Sequence, residues 1–445
     1  MNETTVQQSL HQALDSEQLE LVRNLLQELH PSEIADILES MPGKARETLW
    51  DLIDPERTGD VLSHAQDAVR AGLLELMRPH EVANATRGLD TDDAADILQD
   101  LPEDVVDSVL LSMDSQNRER LASILSYAED TAGGLMNTDV VPVRSDVSLD
   151  VVARYLRKLG DLPQQTDSLM VVDRDNRYMG LLPLASILIK KPEITVGEVM
   201  KADDGIAALT TAHDVAKLFE QRDLISAAVV DENGGLLGRI TIDDVVDVIQ
   251  DEAGQAVLSM AGLGEDDMFG PVLASARRRT VWLGINLLTA LLASWVIGRF
   301  EDTIKQLVAL AVLMPIVASM GGIAGNQTLT LSIRGLALGH LSKANARSLM
   351  IKEGAIGVLN GLLWACVVSV IAVIWFKDPA LGVIIGLAMA INLIIAALSG
   401  ALIPVTLKQL GIDPAIAGGV VLTTVTDVVG FMTFLGLATL FLVPD

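Results

Sequence analysis

The chain has a single cysteine, Cys366, in 445 residues. That excludes an intrachain disulfide and a thiolate zinc site. Its six histidines are scattered, with no nucleophile–base or metal-ligand spacing, so an enzyme finds no support. No Gly-Lys-Ser/Thr phosphate loop is present, and nothing resembles an ATPase motif. Basic residues are also short: Lys+Arg number 32 against 59 Asp+Glu, a formal charge of −27. Nucleic acid needs a positive footprint and is not an expected partner. The opening residues MNETTVQQSLHQALDSEQLEL lack a basic n-region and an apolar core. A secretory signal is therefore not expected, and the soluble part is expected in the cytoplasm.

What is present is unevenly distributed. Residues 1–270 carry 52 acidic against 21 basic side chains, and residues 271–445 carry 7 against 11. The first part reads as soluble and strongly acidic, the second as a membrane part. Clustered negative charge suits cations, and its self-repulsion loosens a fold unless cations are bound; it also keeps a protein soluble.

Residues 1–130 read as short amphipathic helices. His30-Pro31-Ser32-Glu33, Arg78-Pro79-His80-Glu81 and Asp90-Thr91-Asp92-Asp93 are helix-start signals. Ala35-Asp36-Ile37-Leu38 recurs as Ala95-Asp96-Ile97-Leu98, which fits stacked helical hairpins in a small superhelix. Asp92, Asp93 and Asp96 cluster at a helix start. They either complement the helix dipole or, with carboxylates from a second element, bind a cation.

Residues 131–250 repeat a second pattern. SLMVVDRDNRYMG lies beside SAAVVDENGGLLG, each after a helix, with Gly180 and Gly238 in equivalent places. The pattern resembles a pair of CBS domains, an α+β module. Nucleotide-binding modules of this kind often carry Thr and, three residues on, Asp. Thr241 and Asp244 match in the second repeat, whereas Pro183 and Ser186 stand there in the first. The resemblance implies one ATP half-site.

After the second repeat comes IDDVVDVIQDEA. Asp243, Asp244, Asp247, Asp251 and Glu252 include pairs spaced by three and four, which share a helix face and repel unless a cation lies between them. The acidic run continues through Glu265, Asp266 and Asp267 to Arg277-Arg278-Arg279, so residues 251–275 read as a linking helix.

Five apolar spans are predicted at about 280–299, 304–334, 353–376, 380–407 and 415–443. Arg277, Arg278, Arg279, Arg334, Lys343, Arg347, Lys352 and Lys408 flank one side, and Arg299, Lys305 and Lys377 the other. The positive-inside bias puts the first group in the cytoplasm and the C-terminus opposite. In the second span Pro315 and Gly321, Gly322 and Gly325 precede Asn326-Gln327-Thr328. These residues either pack a tight seam or free carbonyl oxygens beside water. Asn286, Asn360 and Asn392 read as interhelical hydrogen-bonding residues. The fifth span holds one charge, Asp427. A carboxylate there costs about 2.5–3.5 kcal/mol on insertion scales. Helical spacing places Val420, Thr423, Thr424, Asp427, Gly430, Phe431 and Phe434 on one stripe. Asp427 either links helices or binds a cation.

The whole order resembles the MgtE family of magnesium channels and transporters. The resemblance rests on Tyr127-Ala128-Glu129-Asp130-Thr131-Ala132-Gly133-Gly134-Leu135-Met136, on Gly321-Gly322, Gly325-Asn326-Gln327, and on Asp413-Pro414-Ala415 leading to Thr426-Asp427. It implies a multidomain protein: an all-α superhelical N domain (1–130), an α+β CBS pair (131–250), a linking helix (251–275) and an α-helical five-span membrane domain (276–445). It also implies a homodimer in the inner (plasma) membrane, passing Mg²⁺ along its two-fold axis between the second and fifth spans. Asp427 would be the pore aspartate, with Asn326 and the backbone at Gly322 and Gly325 beside it, Thr423 on the same stripe and Asp413 at the cytoplasmic mouth. Asp93, Asp223, Asp244, Asp247 and Glu252 match acidic positions for regulatory Mg²⁺, to which the clusters add Asp96 and Asp251. His213, Gln255 and Ala256 stand where the family's acids are expected, and Gly418-Gly419-Val420 replaces an expected Asn-Pro. The rivals are a transporter of Co²⁺, Ni²⁺ or Mn²⁺ as well, and a CBS-containing membrane sensor without flux.

Overall fold

In a computed structural model that describes residues 10, 18–263, 272–337, 340–341 and 345–443, proline and acidic punctuation starts short helices. These are α1 (Leu19–Glu28), α2 (Pro31–Ser40), α3 (Gly43–Trp50), α4 (Thr58–Ser63), α5 (Asp67–Leu74), α6 (Pro79–Ala85), α7 (Thr91–Gln99), α8 (Glu103–Ser112) and α9 (Ser115–Ile124). The predicted starts of α2 and α6 are capped by their own sequence. The Glu33 carboxylate accepts the His30 N–H at 2.7 Å, and Glu81 accepts that of Arg78 at 2.8 Å. Asp90 precedes α7 but makes no side-chain cap. The internal repeat marks equivalent buried faces: Ala35, Ile37 and Leu38 on α2, and Ala95, Ile97 and Leu98 on α7. Neighbouring helices stack in turn, α2 on α4, α4 on α6 and α7, α6 on α8, and α7 on α9. This is the all-α superhelical arrangement predicted from the repeat.

The β-rich repeat forms two sheets. One has the order β1 (Pro142–Arg144), β2 (Ser168–Val172), β3 (Tyr178–Pro183), β4 (Lys201–Ala202), and the other β5 (Ile206–Ala207), β6 (Ser226–Val230), β7 (Leu236–Thr241). Equivalent strands pair in the same sense, β1 parallel and β3 antiparallel to β2, β5 parallel and β7 antiparallel to β6. The β2–β3 and β6–β7 pairs each slip once, at Val171/Val172 and at Val229/Val230. Gly180 has φ +149°, and a Cβ there would meet the Lys201 carbonyl at 2.1 Å. The acidic turns are turn chemistry, with Asp173 and Asp231 each accepting two backbone N–H groups. The intervening helices are α10 (Leu149–Leu159), α11 (Leu184–Ile189), α12 (Val196–Val199) and α13 (Ala212–Arg222), and α14 (Ile242–Met260) follows β7. Of the predicted linking helix, residues 251–260 belong to α14; Glu265, Asp266 and Asp267 lie outside the described residues.

The chain divides into two units, Met1–Ala253 and Gly254–Asp445, each with its own apolar core. The second contains α15 (Val272–Gly298), α16 (Glu301–Gln306), α17 (Ala309–Ala337), α18 (Ala346–Phe376), α19 (Pro379–Gln409) and α20 (Pro414–Leu442). All but α16 are long and apolar enough to cross a membrane. The second span starts later than predicted. Residues 301–306 form the separate polar helix α16, whose Lys305 pairs with Glu301 at 2.8 Å, because Glu301, Asp302 and Lys305 suit the interface better than the bilayer. A further correction concerns α17, which stays continuous through Pro315 and the glycines. Pro315 has no N–H to offer the Ala311 carbonyl, but the helix runs on unbroken, so the carbonyls at the glycines are not freed. Lys343 lies outside the described residues.

Helix α19 is the hub of this unit and packs against α17, α18 and α20. Its glycines allow close approach: a Cβ on Gly400 would meet the Gly325 carbonyl at 2.5 Å and the Leu329 amide nitrogen at 3.0 Å. Backbone cannot step aside as a side chain can. Gly400→Leu is therefore expected to cost about 1–3 kcal/mol by overpacking, seen as a lower thermal midpoint of detergent-purified protein. Gly436→Ala, where a Cβ meets nothing within 4 Å, should leave the midpoint unchanged. Equal midpoints for parent and Gly400→Leu would remove this seam from the account.

Candidate functional site

The membrane site begins with the pairing of α17 and α20. A Cβ on Gly325 would meet Leu422 at 2.9 Å, and one on Gly418 would meet Leu329 at 3.0 Å. The two helices therefore run antiparallel, with residues near 325 level with 422 and those near 329 level with 418. Asn326 then stands close to the level of Thr423, and Asp427 lies about 9 Å deeper along the axis at 1.5 Å per residue. Asp413 caps the start of α20, with its Oδ1 accepting the Ala415 N–H at 2.8 Å. Asp413, Asn326 and Thr423, then Asp427 thus stand in order along one helix pair.

Asn326 and Thr423 are exposed on the single chain, Gly322 and Asp427 are half-buried, and Gly325 is buried in the seam. The predicted stripe is narrower than expected. Leu422, Thr426, Gly430 and Phe434 are buried, Gly430 against Asn392 and Phe434 in the apolar core of the unit. The hydroxyls of Thr423 and Thr424 bond back to the carbonyls of Gly419 and Val420 at 2.9 and 2.7 Å. Asp427 has no hydrogen-bond or ion-pair partner among the described residues. It is thus not a link between helices of one chain.

Two buried polar contacts hold α17 in place. Asn392 on α19 is fully buried and donates to the Val317 carbonyl at 2.9 Å, between Gly321 and Gly430. Its reading as an interhelical residue holds, whereas Asn286 and Asn360 are exposed on the chain. Glu353 on α18, 5% exposed, accepts the Thr328 hydroxyl at 3.0 Å. Reading the sequence missed Glu353, since an acid beside Lys352 at the head of a span looks like an ordinary solvated end.

The soluble unit carries a second acidic site, where α7 meets α14. Thr91 donates to the Asn137 side-chain oxygen at 3.1 Å, Asn137 donates to Asp92 at 3.2 Å, and the Asn137 backbone pairs with Arg239 of β7. This clamp brings the α7 carboxylates towards those of α14. Burial first, then Asp244 and Asp93, raises the Asp92 pKa. Burial and Asp90, Asp243 and Asp247 raise Asp93 to about 6. Burial raises Asp96 to about 7, with Arg70 opposing and Glu129 and Asp93 adding to it. Asp244 is raised by burial and Asp243, and Asp247 by burial and Asp243, opposed by His64. Asp251 is raised by partial desolvation, then by Asp67 and Asp247. Arg70, missed in the sequence, is buried here and bonded to Asp100 and, at 2.9 Å, to Asp67.

Two predicted regulatory residues stand apart. Asp223 is exposed on the left-handed C-cap of α13, φ +51°. Glu252 receives His213 Nδ1 at 2.9 and 3.0 Å. Among the described residues no three His, Cys, Asp or Glu side chains converge on one metal position. A hydrated ion that keeps its waters and needs one or two carboxylates still fits such a site. At the candidate nucleotide position, Thr241 bonds to Asp243 and, at 3.1 Å, to Asp244, which accepts the Thr241 N–H at the start of α14.

Comparison with known proteins covers both units. Residues 314–437 match a family profile described as MgtE, divalent cation transporter; residues 29–130 match the MgtE intracellular N domain, and 132–193 and 195–251 match CBS domains. The chain is 31% identical to the magnesium transporter MgtE of Thermus thermophilus, over 98% of each chain. It is 29% identical to that of Bacillus subtilis, over 94% of each. A crystal structure of the cytosolic domain of the Mg²⁺ channel MgtE in complex with ATP aligns at 30% identity with a TM-score of 0.50, covering 54% of this chain and 99% of that one.

The raised carboxyls fix the sign of a pH effect. Each binds its proton more tightly folded than unfolded, so its contribution to the compact form is greatest below the unfolded value near 3.8 and is lost as pH rises through about 6–7. In chelator, protease protection of residues 18–253 in the full chain should fall between about pH 5 and about pH 8, and added Mg²⁺ should restore it at the upper end. Cleavage rates that ignore both pH and Mg²⁺ would contradict the repulsive cluster.

Proposed function

This chain belongs to the MgtE family of magnesium transporters, and we propose that it carries hydrated Mg²⁺ across the cytoplasmic membrane between two copies of itself. The observation that carries the reading is Asp427: a carboxylate inside a membrane span with no partner among the described residues of its own chain. A second copy related by a two-fold axis would set two such carboxylates about one ion. Mg²⁺ sheds water reluctantly and takes one or two carboxylates as protein ligands, whereas Ca²⁺ prefers more oxygens at longer distance. The exposed Asn326 amide, about six residues above in register, is suited to hydrogen-bond the waters of an ion passing its level on the way to Asp427. Because α17 is an unbroken helix, that task falls to side chains rather than to freed carbonyls at Gly322 and Gly325. Asp413 keeps one carboxylate oxygen for incoming cations at the mouth.

Regulation belongs to the same proposal. Asp93, Asp96, Asp244, Asp247 and Asp251 form a repulsive cluster that cytoplasmic Mg²⁺ would neutralise, stabilising the compact soluble unit and, through residues 251–275, the shut pore. A ligand that binds one state better shifts the population towards it. Asp223 and Glu252 lie outside that cluster, and Glu252 has His213 as its partner. The working division remains 1–130, 131–250, 251–275 and 276–445. The positive-inside bias supports an inner-membrane protein with its N-terminal domains in the cytoplasm and its C-terminus opposite.

Proteoliposome uptake tests the pore. The desolvation cost of about 2.5–3.5 kcal/mol, recovered only when a cation binds, sets the scale: Asp427→Ala should lower Mg²⁺ uptake about a hundredfold with the dimer intact. Unchanged uptake would sink the assignment, and a parent protein passing Co²⁺, Ni²⁺ and Mn²⁺ equally would favour a general divalent transporter. The ATP-bound relative supports a nucleotide at Thr241 and Asp244 as a finer reading. Calorimetry of the full chain should then show ATP binding that Asp244→Ala removes, and flat heats for the parent would end it.

A further inference from the structure

We propose that the membrane unit holds the headgroup of an anionic phospholipid in a cavity between the C-terminal end of α17 and the N-terminal end of α18. The cavity has a volume of about 490 Å³. Arg334, His340, Ser348 and Lys352 supply its polar wall, and Leu331, Leu341 and Leu349 its apolar wall. Arg334 and Lys352 are exposed, and neither forms an ion pair among the described residues. Two cations are thus held on the rim of one concave site without a carboxylate to neutralise them. The positive end of the 31-residue helix α18 adds to the same field. Asn345, before that helix, directs its amide to the His340 carbonyl at 2.6 Å.

The position selects the ligand. Arg334 lies in the last turn of one membrane helix and Lys352 in the second turn of the next, so both stand where headgroups meet acyl chains. Counting spans places the cavity on the face at which the chain enters α15. A soluble anion would use the cations and leave the three leucines idle. A phospholipid uses both: its phosphate meets Arg334, Lys352 and the Ser348 hydroxyl, and its upper acyl carbons lie on Leu331, Leu341 and Leu349. Basic pockets between membrane helices on the cytoplasmic side suit anionic headgroups for this reason. None of these residues belongs to the proposed ion path, so the site stands or falls independently of the transported ion.

Native mass spectrometry of the detergent-purified full chain, titrated with phosphatidylglycerol, phosphatidylcholine or inorganic phosphate, tests this. The parent should retain phosphatidylglycerol in clear preference to phosphatidylcholine. Each basic residue beside an anionic lipid contributes about fivefold in affinity, so Arg334→Gln with Lys352→Gln should weaken phosphatidylglycerol about 25-fold. Arg299→Gln, at the other end of α15, should not. Equal retention of the two lipids by the parent, a result independent of any variant's folding, would overturn the proposal. So would undiminished phosphatidylglycerol on the double variant, or inorganic phosphate that displaces the lipid fully.

Discussion

Negative charge without a matching positive charge inside the chain is the constraint on which the rest of this structure depends. In the soluble unit, α7 and α14 bring carboxylates into shared, partly desolvated space, with Arg70 the cation that opposes the rise at Asp96 and Asp251. In the membrane unit, Asp427 has no partner at all among the described residues. Desolvated carboxylates either take up a proton or find a cation. Both units therefore carry the same unmet charge, and in the proposed function one small, strongly hydrated divalent ion would meet it in each.

The membrane unit spends its packing on holding two helix faces in register. Gly400 and Gly325 let α19 and α17 approach until backbone meets backbone. Asn392 and Glu353 then fasten α17 from the two sides, one through the Val317 carbonyl and the other through Thr328. Between those two attachments lie Gly322 and Asn326. The amide's exposure is thus a consequence of buried contacts on the opposite face of its helix. A buried polar contact left half-made costs about 1–3 kcal/mol, which opposes rotation of α17 away from this setting.

Much of this was legible in the residues. The 35–38 and 95–98 repeat marked equivalent buried faces, and the paired VVD turns marked two equivalent sheets, whose shared strand slip is seen only in the structure. Asp427 could be singled out because one charge in an apolar run of this length is costly. Other features depend on tertiary packing. Proline and glycine in α17 suggested broken helix, yet it stays one helix, packed against α19 and α20. The stripe on α20 looked like one face, but its deeper members Gly430 and Phe434 are covered by Asn392 and by the apolar core. Glu353 and Arg70 escaped notice because their burial comes from other segments. The His213–Glu252 pair was equally hidden, since 39 residues separate its members.

The proposed function joins the two sites: Mg²⁺ bound by the acidic unit would govern Mg²⁺ movement past Asp427. Initial Mg²⁺ flux through the reconstituted full chain, with free Mg²⁺ on the side of the soluble unit raised stepwise at a constant driving gradient, tests that claim most directly. Flux should fall with each step as the carboxylates are neutralised. Flux that stays constant across the series would contradict it.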